Sequence, residues 1–396
     1  MLDPGSIPVC RILVLVLGLS LGAGDVSAQD AEDDPIYDRP FVANLGGRTA
    51  VGGYVEGNTN YFAEDGVSEG FSMELRRFNL FLYSSIGSRL SFFSELEFEH
   101  GTEEIKLETA LVDFAFSPAI AARLGILLPP LGAFNQNHDS PKWDIVDRPL
   151  VSTQIIPSTL SEVGFGLHGQ FYLNAATVAY QVYLVNGLGA GVVSNDQGRT
   201  FLPSGKSDEA FGEDNNGSPS LTARVSARNP DGEIGLSYYT GVYNNFRVEG
   251  DEVDKKRSLS VVAIDGRVAL GGLLLQGEAA YAHISVPDNL RDLFGEKQTG
   301  GFLEVVVPVF QINLFRDETA TLSAIARAEY VDFNRGPLGE TGGVKYDDVT
   351  ALVIGASFRP TAETVFKTNY RYHWVRDLLG NPARLGGIQV GFATYF

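Results

Sequence analysis

The sequence predicts an all-β fold: a transmembrane antiparallel β-barrel of about sixteen strands. Three observations predict it. From Gly46 onward, stretches of about 10–13 residues alternate in polarity, the period of a strand with one apolar and one wet face. Short and long connections take turns along the chain, so one end of the sheet carries tight turns and the other carries loops. The last stretch alternates up to a terminal aromatic. Ile388, Val390, Phe392, Thr394 and Phe396 fall on one side, with Gln389, Gly391, Ala393 and Tyr395 on the other. No sheet edge can be left facing hydrocarbon, so this strand must close against the first. Tyr395 and Phe396 are the expected assembly signal, read by the barrel-assembly machinery.

Taken in order, residues 1–28 read as a secretory leader. Arg11 precedes a thirteen-residue apolar run at 12–24, and Val26, Ser27 and Ala28 supply small residues for cleavage. Thirteen residues are short of the roughly 20 that a spanning helix needs. The single cysteine, Cys10, precedes the run, where a lipidation site would follow it, so the mature chain has no disulfide. Residues 29–45 hold Asp30, Glu32, Asp33, Asp34 and Asp38, an acidic segment expected to be flexible. The barrel is assigned to 46–396, with strands at 46–58, 72–85, 89–99, 104–116, 119–127, 162–172, 175–186, 219–228, 232–243, 257–268, 272–284, 299–310, 319–333, 346–358, 362–375 and 384–396. Tight turns follow at 86–88, 117–118, 173–174, 229–231, 269–271 and 359–361, and 311–318 reads as a longer one. The longest connections are 128–161 and 187–218. An even strand count puts both termini on the tight-turn side, the periplasm of an outer-membrane protein.

A soluble secreted sandwich or β-helix would share the periodicity and the leader, but not the one-sided loops or the terminal aromatic. The formal charge of −19 becomes −18 without Asp3, Asp25 and Arg11, which argues against nucleic acid as a partner. With 45 glycines, 25 phenylalanines and 16 tyrosines, the composition suits strands and interfacial aromatic girdles.

Charges collect on one parity. Tyr370, Tyr372 and Trp374 alternate with Lys367, Asn369, Arg371 and His373. An Arg or Lys facing lipid near the midplane costs about 2–4 kcal/mol, so the charged parity must face a wet interior. The lumen lining is accordingly assigned to Arg77, Glu95, Glu97, Asp113, Arg123, Arg224, Asp265, Arg267, Glu278, Glu304, Arg327, Glu329, Lys367 and Arg371. One strand is awkward: with Ala110, Val112 and Phe114 outward, Lys106 and Glu108 face outward too. The outer end of 104–116 is therefore expected to rise above the bilayer.

Several stretches between Arg76 and Tyr172 resemble the phosphate-selective porin O/P family: the strand Met73–Phe78 with its paired arginines, Ala110 to Phe116, and Arg123-Leu124-Gly125 running into Pro129-Pro130-Leu131-Gly132. Asp147-Arg148-Pro149-Leu150-Val151 and Val163 to Gly169 follow in the same order. The resemblance implies a homotrimer of sixteen-stranded barrels in the outer membrane, with the third long loop folded inward as a constriction. Here that loop is 128–161, with Phe134, His138, Asp139, Lys142, Trp143, Asp144, Asp147 and Arg148 as constriction residues. Phosphate-selective members use clustered cations, and this chain departs from that. Between 134 and 148, Lys142 and Arg148 face Asp139, Asp144 and Asp147, net −1. A lining of both signs predicts weak selectivity.

No enzyme, cofactor or metal chemistry is expected. No two histidines among His100, His138, His168, His283 and His373 stand at metal-ligand spacing. Thr200 replaces the glycine that a phosphate loop ending at Gly205-Lys206-Ser207 would need. Asp208, Glu209, Glu213 and Asp214 read as a solvated loop rather than a cation site. His100 near Glu103 and Glu104 is a weak pairing for hydrolysis. The expected function is a passive pore for small hydrophilic solutes or ions. The rival is a closed structural or adhesive barrel binding a partner through its loops.

Overall fold

The computed structural model describes Tyr37, Arg39 and residues 48–396, apart from 207–210, 213, 215, 316–317 and 339–341. The leader 1–28 and all of 29–45 except Tyr37 and Arg39 lie outside the described residues, as do Asp208, Glu209 and Glu213 of the acidic loop.

Sixteen antiparallel strands close into a barrel, as the alternation predicts. They are β1 (Thr49–Glu64), β2 (Phe71–Ile86), β3 (Leu90–Glu99), β4 (Glu104–Ser117), β5 (Ile120–Leu127), β6 (Glu162–Leu173), β7 (Ala176–Val185), β8 (Ser220–Asn229) and β9 (Gly232–Val242), then β12 (Ser258–Leu270), β13 (Leu273–Ile284), β14 (Lys297–Phe315), β15 (Glu318–Asp332), β16 (Asp348–Arg359), β17 (Thr364–Arg376) and β18 (Pro382–Tyr395). The two-residue arms β10 (Arg247–Val248) and β11 (Asp251–Glu252) form a small hairpin outside the barrel. Each barrel strand pairs with its neighbours in sequence, and β18 returns to β1 with Tyr54 opposite Tyr395. Beyond the last strand residue, Phe396 and Gly53 exchange two backbone hydrogen bonds of 3.0 and 3.1 Å. The Phe396 ring stacks on Phe78 with centroids 5.6 Å apart. Gly53 leaves room for it, because a Cβ there would lie 2.7 Å from the ring.

Leu352, Ile354, Phe366, Tyr370, Trp374, Ile388 and Val390 are exposed on the outer face, while Lys367, Asn369, Arg371, His373 and Gln389 are buried inside. A continuous apolar outside with charged residues buried inside is the reverse of a water-soluble protein and matches a hydrocarbon surround. Strand β14 is longer than the alternation suggests. Pro308 cannot donate to a ladder and would be expected to end the strand. Register shifts between Pro308 and Phe310 and between Asn313 and Phe315 absorb it, and β14 runs on to Phe315. The long turn expected at 311–318 therefore shrinks.

Two other bulges change which residues face inward. In β2, Glu56 lies opposite Arg77 and Gly57 opposite Leu75, so Arg76 is the extra residue. In β4, Glu95 lies opposite Thr109 and Leu96 opposite Leu107, so Glu108 is extra. Cross-strand partners share a face, and Lys106 lies opposite the inward Glu97. The awkward strand is thus corrected. A bulge shifts the parity by one residue, putting Lys106 and Glu108 on the lumen side while Ala110, Val112 and Phe114 remain outward.

Candidate functional site

All fourteen residues assigned to the lining lie on the inward parity. Thirteen of them are buried or half-buried, and Arg267 is exposed. Their charges do not form a ring of one sign. Arg123 grips Asp113 through two hydrogen bonds of 2.8 and 2.6 Å, with His168 3.4 Å from the same carboxylate. Arg224 makes a two-pronged pair with Asp265. Arg327 meets Glu304 at 2.6 Å, and Arg371 meets Glu329 at 2.7 Å. Arg77 reaches Glu56 at 3.0 Å, Glu99 at 2.8 Å and Glu97 at 3.5 Å. These are lateral ion pairs between nearby strands, so the fields of the two signs largely cancel a short distance away.

Loop 128–161 occupies the lumen. Its prolines at 129, 130, 141, 149 and 157 bar a ladder, and only the three-residue turn Ser140–Lys142 and the five-residue helix Leu150–Gln154 are regular. A backbone without its own ladder must find other partners, and the inward strand residues supply them. The Gly132 amide donates to Ser237 of β9, and those of Phe134 and Leu150 donate to Glu278 and Glu329. Gly132 has a φ of +69°, in the left-handed region that favours glycine, and a Cβ there would also press on the Glu278 carboxylate. Lys367 donates to the carbonyls of Ser140 and Ile145, and Arg359 to that of Pro141.

The residues predicted for the constriction become anchors. Asp144 accepts from Ser357 and Arg359 at 2.8 and 2.9 Å. Asp147 accepts from Arg76 at 2.9 Å, Arg371 at 3.0 Å and Gln389 at 2.8 Å, tying the loop to β2, β17 and β18 at once. Burial alone would raise its carboxyl, but Arg371 and Arg76 outweigh burial and hold it down to about 2. Phe134 and Trp143 pack with centroids 4.6 Å apart. Lys142 donates to the Tyr37 carbonyl and to Asn137. Arg148 donates to the Thr159 hydroxyl at 3.1 Å, and Lys206 reaches the carbonyl of the same residue at 3.3 Å. His138 is fully buried. Burial first, and then the Arg148 guanidinium, push its imidazole down to about 4, so it is neutral at pH 7.

The loop divides the lumen. On one side Leu128, Leu131, Val151, Ile155, Ile156 and Leu160 join Leu188, Val192 and Leu202 of the next long loop and pack against Val261, Ala263, Ala280 and Ala282 of β12 and β13. That side is a dry core. The other side holds Glu56, Arg76, Arg77, Glu97, Glu99, Asp147 and Arg148. At the tight-turn end a cavity of about 470 Å³ opens beneath the loop, bordered by Phe134, Lys142, Trp143, Asp144, Arg267 and Arg359.

Strict alternation missed Arg76 and Glu108, which the bulges turn inward, and it missed Arg39. Tyr37 and Arg39 belong to the segment expected to be flexible, yet both are buried, with Arg39 hydrogen-bonded to Glu95 at 2.8 Å and to Asp139 at 2.5 Å. An arginine among acids was the only signal available in the sequence.

No protein-family model matches the chain. An uncharacterized protein of Aquifex aeolicus (strain VF5) is 33% identical over 204 residues, covering 49% of this chain. The matched stretch spans only 45% of that relative. Among solved structures, the anion-selective porin from Comamonas acidovorans aligns with a TM-score of 0.57 at 12% identity, covering 88% of this chain and 99% of that one. The trimer form of OmpT, an outer membrane protein of Vibrio cholerae, gives 0.55 at 10% identity, with 88% and 100% covered. The outer membrane channel DcaP of Acinetobacter baumannii gives 0.51 at 14%, with 88% and 97% covered. At these identities the likeness is one of fold: the chain has the sixteen-stranded porin barrel.

Proposed function

We propose that this chain is an outer-membrane porin, a passive diffusion channel for small hydrophilic solutes and ions, narrowed by loop 128–161. The observation that carries the reading is the docking of that loop across the lumen by Asp144, Asp147 and Lys367, with the charged inward row of the strands facing it. A closed adhesive barrel needs no such loop and no charged inward row. Export by the leader 1–28, insertion by the barrel-assembly machinery through Tyr395 and Phe396, and a homotrimer belong to the same proposal; the solved trimer of similar fold supports the last.

Selectivity follows from the pairing. Five of the seven lining cations have a carboxylate within ion-pair distance, so the proposal is weak selectivity without a high-affinity phosphate site. The chain is then a relative of the phosphate-selective porins that lacks their arginine and lysine cluster.

Single-channel recording in a planar bilayer tests the reading. The expected result is stepwise conductance, increased when residues 134–148 are deleted, with a reversal potential near zero in a salt gradient. Silence over many insertions of purified protein would refute the pore. Micromolar phosphate blocking chloride current would refute weak selectivity.

A further inference from the structure

The β4 bulge and the inward loop together build something that neither the alternation nor the pore reading requires. Glu95 of β3, Glu108 at the bulge and His138 of the loop are all buried, and one ligand atom from each lies within 4.8 Å of the others. His138 Nε2 is 3.2 Å from Glu108 Oε2 and 4.0 Å from Asp139 Oδ1. Asp139 Oδ1 is itself buried with no hydrogen-bond partner.

His138 Nδ1 lies 2.9 Å from the Asn135 carbonyl, which can only accept, so Nδ1 carries the hydrogen. In the neutral ring Nε2 then presents a lone pair, and it points at two carboxylate oxygens. Three carboxylates share this dry site with one guanidinium in direct contact, Arg39. Lys142, which donates to the Tyr37 carbonyl and Asn137, stands near Asp139 as a second cation. Buried carboxylates in this number are either protonated, paired or held by a metal ion.

We propose that Glu95, Glu108, His138 and Asp139 form a binding site for a divalent cation of the Zn²⁺ class, which clasps loop 128–161 to the barrel wall. Metal–ligand bonds of about 2.0–2.2 Å place tetrahedral ligands about 3.3–3.6 Å apart. His138 Nε2 stands 3.2 Å from Glu108 and 4.0 Å from Asp139, and the Glu95, Glu108 and His138 ligand atoms all lie within 4.8 Å, so a small inward adjustment would close them on one ion. One imidazole with a few carboxylates suits Zn²⁺ better than Ca²⁺, which takes six to eight oxygens. The outer contacts are also in place. Asn135 fixes the ring, Asn79 donates to Glu95 at 2.7 Å, and the Tyr395 hydroxyl donates to Asp139 at 2.7 Å. Through the cation the paired strands β3 and β4 and the loop are joined at one atom.

The test uses the full mature chain folded in detergent and stripped with EDTA. ZnCl₂ is titrated by calorimetry, and thermal unfolding is followed with Zn²⁺ or EDTA present. The expected result is one saturable site per chain and a melting temperature higher in Zn²⁺ than in EDTA. His138→Gln and Glu108→Gln should weaken binding at least tenfold. His100→Gln, at an exposed histidine beside Glu74, should bind as the wild type does. Heat-modifiable gel migration shows whether each variant has formed its barrel. The wild-type comparison of Zn²⁺ with EDTA stands even if a variant fails to fold. No saturable binding, with unfolding indifferent to Zn²⁺ and EDTA, would overturn the proposal. So would unfolding that rises only on acidification without Zn²⁺ dependence, because the cluster would then be held by shared protons.

Discussion

Replacing Asp147 by Asn tests whether the loop is held by charge. Asp147 accepts three hydrogen bonds, from Arg76, Arg371 and Gln389. A bond to a charged partner is worth about 1.5–3 kcal/mol, but the three do not add. Each arginine keeps another carboxylate when Asp147 is neutralised: Arg371 retains Glu329 at 2.7 Å and Arg76 retains Glu74 at 3.1 Å. The cost therefore falls at the low end. The titration gives the same scale, since a carboxyl at about 2 rather than 3.8 corresponds to about 2 kcal/mol favouring the ionised, docked form. About 2 kcal/mol shifts a docked-to-released ratio roughly thirtyfold. The sign follows from the lowered value. This stabilisation is present above pH 4 and is lost as the pH falls through 2. Urea-dependent folding into vesicles at several pH values reads it. The wild type should exceed Asp147→Asn by about 2 kcal/mol at pH 7, with the gap closing toward pH 2, and the variant should show noisier single-channel current. A gap that is absent at pH 7, or unchanged between pH 7 and pH 2, would refute the reasoning.

Two further outcomes bear on the fold. Arg76→Leu should destabilise the barrel, because the bulge turns Arg76 onto Asp147; under strict alternation the same change would remove a charge from lipid and stabilise by about 2–4 kcal/mol. Folding free energies of the two proteins in vesicles separate the readings by sign alone. Deleting Phe396 removes both backbone bonds to Gly53 and the stack on Phe78, so closure of β1 on β18 should slow, seen as delayed heat-modifiable migration during refolding.

The barrel was legible because its signal is repeated: sixteen strands each restate the same period, and an error at one boundary does not spread. The lining was legible for a related reason. A charge costs so much in hydrocarbon that parity follows from Lys367, Arg371 or Glu304 alone. What alternation could not show was where the count slips. Arg76-Arg77 and Glu108-Thr109 each look like one inward and one outward residue; the outward charges of Lys106 and Glu108 mark their strand as awkward without locating the slip. The bulges become intelligible from across the lumen, where Asp147 and His138 wait for the extra side chains. The position of those partners depends on a proline-rich loop with no period to read, docked on strands more than two hundred residues away in the case of Arg371 and Gln389. The same physics explains the treatment of the loop charges. Counted along the chain, Asp139, Asp144 and Asp147 make an acidic eyelet; folded, each meets an arginine and serves as a latch. A net charge read from a lumen loop therefore bears on ion selectivity only after the wall residues opposite it have been counted, and here that count brings the acidic surplus close to balance.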